Sequence, residues 1–150
     1  MESEETTEVK EQPLGDLIRA LAKADWDAVD TLVVEIGQHG MANSLQIIGA
    51  AFALAANRRF GPGTTPTEVA HWVAGLRATY RGQEPFPALE MEGLIRAALG
   101  EPELVDTIAP KTALGAELFM LGQILLEENL SATELDELVT DAEELAAEHL

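Results

Sequence analysis

Apolar residues recur three and four positions apart along almost the whole chain, which is the spacing of one face of an α-helix. No stretch alternates apolar and polar residues over the length of a β-strand. The first half contains three amphipathic faces: Leu14, Leu17, Ile18 and Leu21; Trp26, Val29, Val33 and Ile36; and Val69, Trp72, Val73 and Leu76. The pattern therefore predicts an all-α protein.

Two further segments, about 43–60 and 112–128, are apolar on nearly every side. Such a helix must be surrounded by protein, so we expect residues 45–54 and 114–125 to be the most buried in the molecule. Packing the two helices against each other would bury both. In an alternative arrangement, part of one helix stays exposed as a dimer interface.

The two halves of the chain resemble each other. Three short segments recur in order: residues 17–20 at 94–97, residues 29–32 at 105–108, and residues 65–69 at 131–135. Ordered matches of this kind indicate a tandem duplication, and an internal repeat dictates the architecture. We therefore predict two four-helix units, 13–82 and 83–150, which pack about a pseudo-twofold axis as one domain of about eight helices. Residues 1–12, with five glutamates and one lysine, are expected to form a disordered acidic tail.

Helix starts can be placed from capping residues. Asp25, Thr65 and Ser131 each precede an apolar repeat and have side chains that can accept a hydrogen bond from the first helical turn. Thr65 and Ser131 are followed three residues later by Glu68 and Glu134, which completes a capping box. Helices should therefore begin directly after these three positions.

Composition limits the class of protein. The 150 residues have a net charge of −18, contain no cysteine and are 47% hydrophobic, which is too apolar for a disordered chain. The longest apolar run, 47–56, is too short to span a bilayer, and the acidic start is unlike a signal peptide. We expect a soluble, cytoplasmic protein. Its negative field disfavours direct binding to nucleic acid or to anionic membranes.

Charge is distributed unevenly between the halves. Residues 111–150 contain ten acids and one base, Lys111, whereas four arginines lie near the ends of the third and fourth helices of the first half. These arginines complement helix C-termini, or they form a basic patch that pairs with acids on a partner, on another copy or on the C-terminal helix of the same chain. We expect the pseudo-twofold to hold the two surfaces apart and free to bind. The candidate partner-binding residues are Arg58, Arg59, Arg77, Arg81, Glu134, Glu137, Asp141 and Glu144.

Metal binding is an alternative use of some of these acids. Glu68 and His71 have the Glu-x-x-His spacing of di-metal sites in helical bundles, and the repeat places Glu134 and Glu137 at the equivalent positions. Glu117, the one acid on the apolar part of its helix, could add a ligand. Such sites usually need two Glu-x-x-His pairs, however, and only one is present. Capping explains Glu68 and Glu134, and the dipole near a helix start explains Glu117, so we predict no metal and no cofactor.

The sequence lacks the patterns of common catalytic sites. No serine lies in a nucleophile elbow, and no glycine-rich loop carries a phosphate-binding lysine. We therefore predict a non-enzymatic helical module, a regulator or adaptor that binds a protein partner and can form homo-oligomers. A basic protein is one candidate for this partner. One alternative is an acidic decoy that inhibits a nucleic-acid-binding protein. Another is a carboxylate-type metal-binding bundle.

Overall fold

The computed structural model describes residues 14–38, 41–61, 63–79 and 87–148. All regular secondary structure in these residues is helical and no strand is present, which confirms the all-α part of the prediction. The predicted tail at 1–12 and Arg81 lie outside the described residues. The helices are α1 (14–22), α2 (Trp26–Gly37), α3 (Met41–Phe60), α4 (Pro66–Thr79), α5 (Ala88–Ala98), a short 3-10 helix (Pro102–Val105), α6 (Pro110–Glu128) and α7 (Ala132–Glu148).

The capping residues set the helix starts as predicted. Asp25 Oδ1 accepts the backbone N–H of Ala28 at 3.3 Å, and Thr65 Oγ1 accepts that of Glu68 at 3.2 Å. Before α7 the capping box is reciprocal: Ser131 Oγ accepts the Glu134 N–H at 3.2 Å, and the Glu134 carboxylate accepts the Ser131 N–H at 3.0 Å. These bonds satisfy N–H groups that have no partner inside the helix.

The second helical segment differs between the two halves. In the first half α2 runs for 12 residues, whereas the segment after α5 forms a 3-10 helix of only four residues. Proline disfavours a helical conformation in the residue before it. Ala109, which precedes Pro110, is extended at φ −60° and ψ 136°. The short distance between Pro102 and Pro110 therefore leaves no room for a helix as long as α2.

The core is centred on the contact between α3 and α6, the most extensive contact between the helices whose packing is described. The buried residues of α6 are Ala113, Leu114, Ala116, Leu118, Met120, Leu121, Gly122, Ile124 and Leu125. On α3 the buried residues include Ile48, Ala50, Ala51, Phe52, Ala55 and Ala56. The expectation that these two helices alone form the most buried part was too narrow, because Leu17, Ile18 and Leu21 of α1 have no exposed surface.

A glycine on α6 allows α1 and α2 to approach closely. A Cβ atom at Gly122 would lie 3.1 Å from Trp26 Cη2 and 3.3 Å from Leu21 Cδ2, so a larger residue would push both side chains away. Trp26 was predicted to lie in the buried face of α2, yet 41% of it is exposed because only one edge of its ring contacts α6. None of the described helices combines the length and the apolarity needed to cross a membrane.

Candidate interaction surface

The outer face of α7 carries a row of acids. Leu138, Ala142 and Ala146 are buried on the inner side of this helix, and Glu137, Asp141 and Glu144 are exposed. We call the last three residues the acidic stripe. Spacings of four and three residues keep them on one side of the helix, over about 10 Å at 1.5 Å per residue. None of the three forms an ion pair with a residue that the structure describes.

This arrangement is electrostatically unfavourable for α7 itself. Like charges three or four residues apart destabilise a helix by about 0.2–0.5 kcal/mol per pair. The last turn of α7 contains no basic residue that could offset these charges. The stripe therefore has a local cost that no described group in the chain offsets.

Glu134 belongs to the same helix but has a different environment. Hydrogen bonds from Ser131, first from its backbone N–H, lower the pKa of Glu134, and the charge of Arg58 lowers it further. Its Oε2 accepts a hydrogen bond from Arg58 Nη2 at 2.8 Å. Glu134 is therefore a capping residue and an ion-pair partner inside the chain.

The arginines at the end of α3 pair with acids of the second half. Arg58 contacts Glu128 at 3.6 Å in addition to Glu134, and Arg59 Nε donates to Glu127 Oε1 at 2.8 Å. The expectation that the two charged surfaces are held apart was therefore wrong for Arg58 and Arg59. Packing of α3 on α6 and α7 brings the end of α3 beside the end of α6 and the start of α7.

Arg77 and Arg81 are the remaining candidate arginines. Arg77 is half-buried on α4, and its buried Nε has no hydrogen-bond partner. Arg81 falls outside the described residues. Of the eight residues predicted to bind a partner, the structure thus uses Arg58, Arg59 and Glu134 internally and leaves the acidic stripe open to solvent.

A second group of polar contacts, which the sequence did not reveal, surrounds Glu127 at the end of α6. Its carboxylate accepts hydrogen bonds from Arg59 at 2.8 Å, from Trp72 Nε1 at 3.1 Å and from Gln123 at 3.0 Å. We call these four residues the Glu127 cluster. Trp72 also packs edge-on against Phe60, with the ring centroids 5.4 Å apart. The one hint in the sequence was Trp72 in a predicted buried face, because a buried indole N–H requires a hydrogen-bond acceptor.

Arg19 of α1 and Asp136 of α7 form an ion pair, with 2.5 Å between Arg19 Nη2 and Asp136 Oδ1. The sequence gave no indication of this pair. This pair joins the first helix of one half to the last helix of the other. Arg96 forms a local pair with Glu101 through two hydrogen bonds of 2.8 and 2.9 Å. The hydrogen bonds from Arg96 lower the pKa of Glu101.

The proposed metal ligands are not assembled. Glu68 bonds to Thr65 at the start of α4, and His71 is exposed one turn later. Glu117 is the eighth residue of α6, beyond the first turn, so the helix dipole does not explain it as we had expected. Within the described ranges, no three histidine or acidic side chains lie close enough together to hold a metal ion.

Comparisons with protein-family descriptions, with curated proteins and with solved structures gave no match to this chain. On its described surface, the acidic stripe places three carboxylates about one helical turn apart on one side of a well-packed helix. Such a row can attract several cationic groups at once.

Proposed function

We propose that this chain is a non-enzymatic helical interaction module that binds a basic protein segment through the acidic stripe of α7. The observation that carries the proposal is the local cost of the stripe. Glu137, Asp141 and Glu144 repel one another and have no partner in the described chain. Places where a sequence breaks local rules without a compensating contact are expected to be functional.

The basic residues of the chain support the proposed direction of binding. Arg19, Arg58 and Arg59 are engaged with acids of the same molecule, so they are poorly suited to form a basic patch for an acidic partner. The chain contains more acids than bases, so the charged groups left unpaired on its surface are mainly negative. A partner rich in lysine or arginine would relieve the repulsion on α7, and the attraction would be weakened by salt.

We further propose that the fold arose by duplication of a four-helix unit, as the sequence repeat suggests. Two surface grooves support this idea, one of about 500 Å³ beside α1 and α2 and one of about 320 Å³ beside α5 and the 3-10 helix. Their walls share five positions that correspond at the spacing of the sequence repeat: Asp16 and Gly93, Arg19 and Arg96, Ala28 and Leu104, Thr31 and Thr107, and Leu32 and Ile108.

Contacts between the halves are also consistent with a pseudo-twofold axis. The first helix of each half meets the fourth helix of the other: α1 contacts α7 through Arg19 and Asp136, and α5 packs on α4. A crystal structure would test the duplication. Residues 14–79 should superpose on 88–148 after a rotation close to a half-turn, with Leu17 over Leu94. Matched residues in unrelated surroundings would reject it.

Binding through the stripe can be tested by capture from the native cell extract. The test variant carries Glu137→Gln, Asp141→Asn and Glu144→Gln together. A matched control carries Asp27→Asn, Asp30→Asn and Glu35→Gln, which remove the same number of charges from the exposed face of α2. We expect a basic protein to be captured by the wild type and by the control, to be lost with the stripe variant, and to dissociate in high salt.

Two results of this experiment would change the interpretation. Equal capture by the wild type and by both variants would reject the stripe as the binding surface. Displacement of the captured protein by DNA or RNA would show that the stripe competes with phosphates, which would favour the decoy over an adaptor role.

A further inference from the structure

Glu117 is a half-buried ionisable side chain between the two central helices, and no function described so far uses it. It lies on α6, where Ala116 and Leu118 on either side of it and Met120 and Leu121 in the next turn are buried. Its Oε1 is buried and has no hydrogen-bond partner. Its Oε2 faces Gly49 of α3, where an added Cβ would lie 3.6 Å from this oxygen. The carboxyl group therefore occupies the contact between the two central helices.

Among the described residues, no charged group compensates Glu117. On α3 the charged residues within 46–60 are Arg58 and Arg59, which lie more than two turns beyond Gly49 and pair with other acids. The other helices around α6 also carry titratable residues. In the first half these are Asp16, Arg19 and Lys23 on or after α1, Asp27, Asp30 and Glu35 on α2, and Glu68, His71 and Arg77 on α4. In the second half they are Glu90, Glu92 and Arg96 on α5, Lys111, Glu127 and Glu128 on α6 itself, and the acids of α7. Burial alone accounts for the pKa of Glu117, which it raises from 4.5 to about 8.

Burial of a carboxyl group without a partner favours its neutral form, because an isolated charge is poorly solvated in a protein interior. In the unfolded chain the same group is in water and loses its proton at its ordinary pKa. Folding therefore retains a proton that the unfolded chain releases. Stability must fall as pH rises between the two pKa values and level off above the higher one.

We propose that Glu117 is a proton-dependent latch between α3 and α6. Its neutral carboxyl group fits beside Gly49, and loss of the proton places an unpaired charge in the interface and loosens the contact between the two helices. The folded protein should lose this proton near pH 8, so a rise in pH above neutrality would weaken the hold of α3 on α6.

Each pH unit between the two pKa values changes the folding equilibrium by a factor of ten. With 4.5 and about 8 as limits, ionisation should lower the ratio of folded to unfolded protein by about 300-fold at pH 7 and about 3000-fold above the upper limit. Glu117→Gln keeps the size of the side chain and cannot ionise. This variant should therefore lose the pH dependence that ionisation of Glu117 causes. Any effect of the amide itself on stability should be the same at every pH.

The experiment is urea unfolding of the full chain at about pH 5, 7 and 9, for the wild type, Glu117→Gln and the control Glu144→Gln. Tryptophan fluorescence is a suitable signal, because Trp26 contacts Gly122 and Trp72 contacts Glu127, both on α6. Between about pH 5 and 9 the unfolding constant of the wild type should rise about 700-fold relative to Glu117→Gln. The exposed control should follow the wild type, and parallel curves for the wild type and Glu117→Gln would overturn the proposal.

A second measurement needs no variant. In wild-type protein with glutamate carboxyl groups labelled with ¹³C, one resonance should titrate near pH 8, well above the others. Titration of every glutamate below about pH 6, near the ordinary value for this residue, would also overturn the proposal.

Discussion

The Glu127 cluster provides a direct test of whether the arginines of α3 serve the fold. Arg59 comes from the last turn of α3, Trp72 from α4, and Gln123 and Glu127 from α6. One carboxylate therefore joins three helices. Removal of that carboxylate should destabilise the protein even though it lies at the edge of the core.

The expected loss of stability depends on how far the ion pair between Arg59 and Glu127 is exposed to solvent. The side chains of Arg59 and Glu127 are 36% and 30% exposed. This exposure is intermediate between that of a surface ion pair and that of a buried one. Surface pairs contribute about 0–1 kcal/mol, and a hydrogen bond to a charged group contributes about 1.5–3 kcal/mol where it is shielded from water. We expect Glu127→Ala, which removes the acceptor of three donors, to cost about 2 kcal/mol. Glu127→Gln keeps one acceptor oxygen and should cost about 1 kcal/mol.

The pH dependence of this cost has a definite sign. Partial burial raises the pKa of Glu127, but hydrogen bonds from Arg59, Gln123 and Trp72 lower it by more, so the net shift is downward from 4.5. A group with a lowered pKa stabilises the fold above its unfolded value and loses this effect as pH falls through the folded value. The difference between the wild type and Glu127→Gln should therefore be complete at neutral pH and shrink below about pH 4.5.

A double-mutant cycle measures the pair. The free energy of unfolding in urea is determined for the wild type, Arg59→Met, Glu127→Gln and the double variant, with Glu137→Gln as a control from the unpaired stripe. We expect a coupling energy of about 0.5–1 kcal/mol and a change below about 0.5 kcal/mol in the control. Zero coupling together with an unchanged stability of Glu127→Ala would refute the reasoning and return Arg59 to the list of available binding residues.

Three further predictions concern the fold. Leu118→Ala should cost about 2–5 kcal/mol in urea unfolding, whereas Leu89→Ala, at a residue that is 80% exposed, should cost almost nothing; equal effects would contradict the burial of α6. Ser131→Ala removes the cap of α7 and should cost about 1 kcal/mol, measured as a lower thermal midpoint. Gly122→Ala should stay within about 1 kcal/mol of the wild type, because gained helix propensity offsets the contact with the movable edge of Trp26. Gly122→Val should cost at least about 2 kcal/mol, and a neutral valine would contradict the close approach of α1.

Local features of this fold could be predicted from the sequence because their causes lie within a few residues. The starts of α2, α4 and α7 follow from Asp25, Thr65 and Ser131, whose side chains bond to N–H groups three residues away. The apolar periodicity gave the helical class for the same reason.

Contacts between distant residues could not be predicted in this way. Whether Arg59 meets Glu127 depends on the angle and separation of α3 and α6, which a hydrophobic pattern does not specify. Glu117 is a second residue whose surroundings the sequence pattern did not specify. Its position in the sequence suggested an acid near a helix start, but the helix begins at Pro110 and places the side chain two turns inside, beside Gly49.

The uneven charge of the two halves now has a physical interpretation in two parts. Arg19, Arg58 and Arg59 of the first half pair with acids of the second, so part of the asymmetry joins the halves across their packed helices. Because these pairs are partly exposed, each contributes little alone, and their main effect is to fix which surfaces of the halves meet. The acids of the stripe are left over after this pairing and face outward on the same helix that Arg19 and Arg58 hold in place. A partner that binds the stripe would therefore meet a helix whose position is already set by the fold, which lowers the entropic cost of binding.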